Sequence, residues 1–122
     1  MSKFYITTAI DYPSASPHIG HVYEKVCGDV IARWHRKIGD DVFFSTGTDE
    51  HGQKIQKYAL KSGEKVEEFV ERMSKKFIYL WAKLNISYDY FIRTTQIRHE
   101  EIVQAIFKKV YEKGDIYEGE YE

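Results

Sequence analysis

Lys3 to Ile10 (Lys-Phe-Tyr-Ile-Thr-Thr-Ala-Ile) is β-branched and aromatic with almost no charge, which predicts a strand buried on both faces, as in a parallel sheet. Asp11 to Pro17 holds both prolines and two serines, so it is a loop. From about His18 to Ile38 the apolar residues Val22, Val26, Val30, Ile31, Trp34 and Ile38 recur every three to four positions, and Gly39 follows. That spacing predicts one long helix with this stripe buried and a glycine cap. Asp41 to Thr46 reads as a second short strand, bounded by Gly39 and Gly47. Strand, helix and strand in this order make a βαβ unit with parallel strands.

Beyond Gly52, a short amphipathic segment carries Ile55, Tyr58, Ala59 and Leu60 and ends at Ser62-Gly63. A longer helix is predicted from Glu64 to Leu84, with Val66, Phe69, Val70, Met73, Phe77, Leu80, Trp81 and Leu84 on its core face. Asn85 ends it, and Tyr88 to Arg93 reads as a third strand leading into Thr94-Thr95. A last helix is expected from Gln96 to Lys113, burying Ile102, Val103, Ile106, Phe107 and Val110, with Gly114 closing it. Ile116 to Glu122 alternates in the manner of a further strand. The fold class is therefore α/β, an open parallel sheet with helices on both faces. Such a small sheet keeps an unpaired edge, which points to part of a longer chain, a subunit of a split protein, or a self-associating domain.

With 122 residues the chain suits one small domain, and 43% apolar with 30% charged residues is a globular composition. A net charge of −1 gives no bulk attraction to nucleic acid or anionic membrane, although Arg33, Arg36 and Lys37 form a local basic cluster. The one cysteine, Cys27, permits no internal disulfide and reads as a small core residue. Neither a signal-type leader nor an apolar run of membrane-spanning length is present, so the expected location is the cytoplasm.

The chemistry gathers at His18-Ile19-Gly20-His21, where the loop gives way to the first long helix. Helix starts attract anions through backbone N–H groups and the helix dipole. Gly20 would permit close approach of a phosphate, and each imidazole offers a donor on a short arm. Two other readings stay open: ordinary polar first-turn residues, or a metal-ligand set of His18, His21, His51 and Asp49. Because parallel strands end at one edge, Thr48-Asp49-Glu50-His51-Gly52 would lie beside the histidine loop, where ligands of open α/β sheets bind. Asp49 or Glu50 could equally cap the following helix.

With both loops in view, the chain resembles the class I aminoacyl-tRNA synthetases, and most closely the methionyl family. His18-Ile19-Gly20-His21 matches the HIGH signature, which small cytidylyltransferases also carry. Gly47-Thr48-Asp49-Glu50-His51-Gly52-Gln53-Lys54-Ile55 resembles the methionyl family's second segment, and Ile86-Ser87-Tyr88-Asp89 with Phe91-Ile92-Arg93-Thr94-Thr95 adds a third match. The resemblance implies a Rossmann-type sheet, the N-terminal half of the catalytic domain over residues 1–122. It implies formation of methionyl-adenylate from methionine and ATP with Mg²⁺, then transfer to tRNA(Met). His18 and His21 would be catalytic and, with Gly20, would bind the nucleotide; Ile10, Tyr12 and Asp49 would bind methionine. No zinc site is implied within the chain. The KMSKS half, the connective insertion and the anticodon-binding domain have no counterpart here, so a C-terminal half is expected as a covalent or separate partner and the chain alone is expected to be weak or inactive. A small HIGH-type nucleotidyltransferase and a non-catalytic binding module are the alternatives.

Overall fold

The computed structural model describes residues 1–120. Its elements are β1 (Lys3–Asp11), α1 (Ile19–Lys37), β2 (Asp41–Thr48), α2 (Gln53–Ser62), α3 (Val66–Lys83), β3 (Tyr90–Arg93) and α4 (Ile97–Glu112). The strands form one parallel sheet in the order β1-β2-β3, so the βαβ reading of the first half holds. Ala32 of α1 and Phe77 and Trp81 of α3 pack on Phe44 and Ile86, with Ile6, Val42 and Phe91 around them. These two helices cover one sheet face. A second cluster joins Ile55 and Ala59 of α2 to Phe69, Val70 and Met73 of α3. The turn between α2 and α3 is closed by Gly63 in the left-handed conformation, which a residue without Cβ adopts freely.

Two glycines set how closely the layers approach. A Cβ on Gly28 would meet Thr8 Cγ2 at 2.8 Å, so α1 can lie low across β1 and β2. Gly47, expected to bound the second strand, lies within β2 opposite Ile92, and a Cβ there would stand 2.0 Å from the Ile92 carbonyl oxygen. β3 pairs with β2 over Ser45 to Thr48 only because that position is bare.

Several expectations fail, and for one reason. α1 buries Lys25, Gly28, Asp29 and Ala32, whereas Val30 is 60% and Trp34 58% exposed, with Val26, Ile31 and Ile38 also on the outside. Positions 25, 28, 29 and 32 follow helical spacing as well as the apolar stripe does. Small side chains permit close approach to the sheet, and the two charged ones find buried partners, so this face wins. Cys27 is exposed, not a core residue. The other sheet face carries Tyr5, Phe43 and Ile10 in the open, so β1 is not buried on both faces. Only α4 approaches that face, where Arg98, His99 and Ile102 border a hollow with Phe43, Tyr90 and Ile92. None of its residues is buried, and the expected core positions Ile102, Val103, Ile106 and Phe107 are exposed. Ile116 to Glu120 form no strand, and Tyr121 and Glu122 lie outside the described residues.

The inversion of α1 makes a clean contrast. Trp81→Ala should lower stability by about 4 kcal/mol as a buried aromatic is lost, and Trp34→Ala by less than about 1 kcal/mol. Urea unfolding of the two variants checks this; equal losses would contradict the packing described. Gly47→Ala should cost about 3 kcal/mol because a backbone oxygen cannot give way, read from the same titrations.

Candidate active site

β1 and β2 end at one edge, with Asp11 paired to Thr48. The next amide, that of Asp49, donates to the Asp11 carbonyl at 2.9 Å. The acidic turn is thereby stitched to the start of the 11–17 loop. Tyr12 stands beside Asp49, whose negative charge and hydrogen bond to the phenol push the Tyr12 pKa up. Ser14 and Pro13 are buried beneath the loop, and Lys76 of α3 donates to Ser16 Oγ at 3.2 Å.

At the head of α1 the two histidines cap the helix reciprocally. His18 Nδ1 accepts from the Gly20 N–H, and His21 Nδ1 accepts from the His18 N–H, each at 3.1 Å. Both Nδ1 atoms are committed as acceptors, so each neutral ring carries its proton on Nε2. Burial lowers the His21 pKa, outweighing the Asp11 carboxylate nearby, so this ring is neutral at pH 7. The rings are 3.8 Å apart between centroids, and His21 rests edge-on against Phe77. Gly20 serves the cap directly, since a Cβ would stand 3.0 Å from His18 Cε1. Its N–H is spent on His18. The first turn of α1 holds no acidic residue, so the positive end of the helix dipole is not answered from within.

Beneath this rim lies a group the sequence reading missed. Lys25 is fully buried, and its Nζ donates to the Ala9 carbonyl at 2.9 Å, to Asp11 at 3.1 Å and to Glu24 at 2.9 Å. It also lies 5.8 Å from the Trp81 ring. Burial raises the Asp11 pKa despite the lysine. The spacing held a signal: Glu24 and Lys25 follow His21 by three and four residues, on the helix side of the cap.

Glu50 is not a helix cap. α2 begins at Gly52 without a side-chain cap, and the Glu50 carboxylate is fully buried, accepting from Thr48 at 2.7 Å, Ser74 at 2.5 Å, Arg93 at 2.7 Å and Thr95. Burial alone would push its pKa up, but the bonds from Arg93, Ser74, Thr48 and Thr95 hold it below the ordinary carboxylate value. His51 turns to the Thr94 carbonyl at 3.1 Å and to Glu100, and among the described residues no three His, Cys, Asp or Glu side chains are placed to hold a metal ion. The metal-ligand set is not assembled. Ile10 lies on the open sheet face in a hollow with Tyr5, Thr7 and Phe43. Two members of the basic cluster are paired at the surface, Arg33 with Asp29 and Arg36 with Asp89 and Ser87, tying α1 to the Ile86–Asp89 run, and Lys37 is exposed. Asp29 in turn accepts from the Ser87 amide at 2.6 Å.

Residues 4–122 match the family model described as tRNA synthetases class I (M). The chain belongs to this family. It is 58% identical over 119 residues to the methionine–tRNA ligase of Clostridium tetani, covering 98% of this chain and 19% of that relative. To the methionine–tRNA ligase of Deinococcus radiodurans it is 54% identical over 121 residues, covering 18% of that relative. Mycobacterium tuberculosis methionyl-tRNA synthetase in complex with methionyl-adenylate superposes with a TM-score of 0.94 at 44% identity, over 96% of this chain and 23% of that one. The chain thus spans about a fifth of the length of these class I synthetases. Among the described residues no helix is long and apolar enough to cross a membrane.

Glu50 sets a pH dependence for this synthetase segment. A depressed carboxyl pKa contributes stability that is present above the unfolded value of 4.5 and lost as pH falls through the folded value. Glu50→Gln should cost about 3 kcal/mol at neutral pH, since Arg93 loses its buried partner. The gap to wild type should narrow below pH 4.5 in denaturant titrations.

Proposed function

We propose that this chain supplies the methionine- and ATP-binding rim of a methionine–tRNA ligase, acting with a C-terminal half that carries the remaining walls of the site. The observation that carries the reading is the Asp49 amide bonded to the Asp11 carbonyl, which puts the acidic turn and Tyr12 on the same rim as the histidine cap. Asp49 accepts the ammonium group of methionine, a charge-assisted contact, with Tyr12 and Ile10 forming part of the wall around the amino acid. The Nε2–H groups of His18 and His21 donate to ATP phosphate oxygens. As the methionine carboxylate attacks the α-phosphorus and pyrophosphate departs, negative charge builds on the phosphoryl oxygens, and donors already fixed by the cap stabilise it without reorganising. A neutral His21 suits this role, because it keeps both its cap bond at Nδ1 and its donor at Nε2. ATP would come with Mg²⁺, which would offset phosphate charge while His18 and His21 donate from the protein side. A hydroxyl of the terminal ribose of tRNA(Met) then attacks the methionyl carbonyl of the adenylate, the ester forms as the carboxyl–phosphate anhydride bond breaks, and AMP leaves.

A nucleotidyltransferase of the HIGH type would use the histidine cap but has no use for a tyrosine held against the half-buried Asp49 carboxylate. Methionine-dependent exchange of pyrophosphate into ATP separates the two. In the enzyme that carries this segment, Asp49→Ala should raise KM for methionine by about 100-fold while leaving KM for ATP nearly unchanged. His21→Ala should lower kcat by 10²-fold or more, to within about an order of magnitude. The isolated 122 residues should exchange at a small fraction of the rate of the whole enzyme; a full rate from this chain alone would overturn the need for a second half.

A further inference from the structure

β1 and β2 pair residue for residue from Lys3 with Asp41 to Thr7 with Ser45, and then resume at Ile10 with Gly47. Three steps along β1 answer two along β2, so β1 carries a bulge around Ala9. A bulge leaves the backbone of the extra residue unpaired and reverses the side-chain alternation beyond it. Here the orphaned groups are both met from α1: the Ala9 N–H donates to Glu24 Oε1 at 3.0 Å, and the Ala9 carbonyl accepts from Lys25 Nζ at 2.9 Å.

The alternation bears this out. Ahead of the bulge, Ile6 packs in the core and Thr8 Cγ2 lies against Gly28 of α1, while Tyr5 and Thr7 face the open side, whose hollow Thr8 also borders. Unbroken alternation would turn Ile10 and Tyr12 toward α1 and Asp11 outward. Instead Ile10 shares the open-face hollow with Tyr5 and Thr7, Asp11 is buried on Lys25, and Tyr12 emerges beside Asp49. We propose that Lys25, assisted by Glu24, is a positioning residue for the amino-acid pocket: by holding the Ala9 bulge it decides which way Ile10 and Tyr12 face. This rests on the synthetase reading of those two residues.

The physical ground is that Lys25 has no cheaper arrangement. Its side chain is fully enclosed, and its three donors are spent on Ala9, Asp11 and Glu24. Without the ammonium, the Ala9 carbonyl keeps only the Thr8 hydroxyl, at 3.3 Å, and the Asp11 carboxylate is buried with no cation, a costly state. Sliding the end of β1 back into regular register relieves it, expelling Asp11 and carrying Ile10 and Tyr12 to the wrong face.

The test uses Lys25→Met and Glu24→Ala, with Glu24→Gln as the conservative variant that keeps an acceptor for the Ala9 N–H. In the chain itself, NMR cross-peaks between the Tyr12 ring and Asp49 should be present in wild type and Glu24→Gln and absent in Lys25→Met. In the enzyme that carries this segment, Lys25→Met should raise KM for methionine about tenfold with KM for ATP within about twofold. Glu24→Ala should move the same readouts in the same direction by less, and if Lys25→Met does not fold, it decides the question. Persistence of the Tyr12–Asp49 cross-peaks in Lys25→Met, or in Glu24→Ala should the lysine variant not fold, overturns the proposal, as does an equal rise in both KM values. If the wild-type enzyme shows no methionine dependence, the synthetase reading fails while the cross-peaks still judge the clamp.

Discussion

One hydrogen bond, from the Asp49 amide to the Asp11 carbonyl, is the hinge of the molecule's chemistry. It exists because β1 and β2 are parallel, and parallel strands deliver their ends to one edge of the sheet. Everything at the rim inherits its place from that pairing. The histidine cap follows the loop that leaves Asp11, and the acidic turn follows Thr48. On the far side, the Thr94 amide donates to the Thr48 carbonyl and the Thr94 hydroxyl receives the Glu50 amide. The end of β2 is therefore held from both neighbouring strands.

Three charged side chains under the rim, Lys25, Glu50 and Asp29, are buried yet compensated. Lys25 serves β1, Glu50 the β2–β3 end, and Asp29 the Ile86–Asp89 run. Buried ions add little net stability over apolar packing, but removing one partner is costly. Their effect is to specify geometry: a bulge in β1, a closed acidic turn, and one setting of α1 against the sheet. The same helix that presents the histidines also carries Lys25 and Asp29, so the cap and its supports move as one rigid element.

The same commitment explains why α1 shows its apolar stripe to the outside. A helix can set only one face on a sheet, and here Gly28 and Ala32 give the close approach while Lys25 and Asp29 give the specific bonds. Among the described residues Val30 and Trp34 are then left largely exposed, as are Phe43 on the open sheet face and Ile106 and Phe107 on α4.

Local order was legible in the residues alone. β-branched and aromatic runs located the three strands and apolar spacing the helices, Ser62-Gly63 marked the turn into α3, and the parallel βαβ unit brought the histidine loop and the acidic turn to one edge, because element type and chain direction are short-range properties. What the tertiary structure alone decided was which face each element turns inward. Periodicity shows that α1 has a stripe but not what meets it, and α4 reads as buried with no partner in reach. A bulge at Ala9 leaves no mark in a strand whose residues show no strict polar alternation, and the worth of Lys25 and Glu50 lies in partners many residues distant. Burial of a charge depends on contacts remote in the chain, and those exist only once the layers have closed.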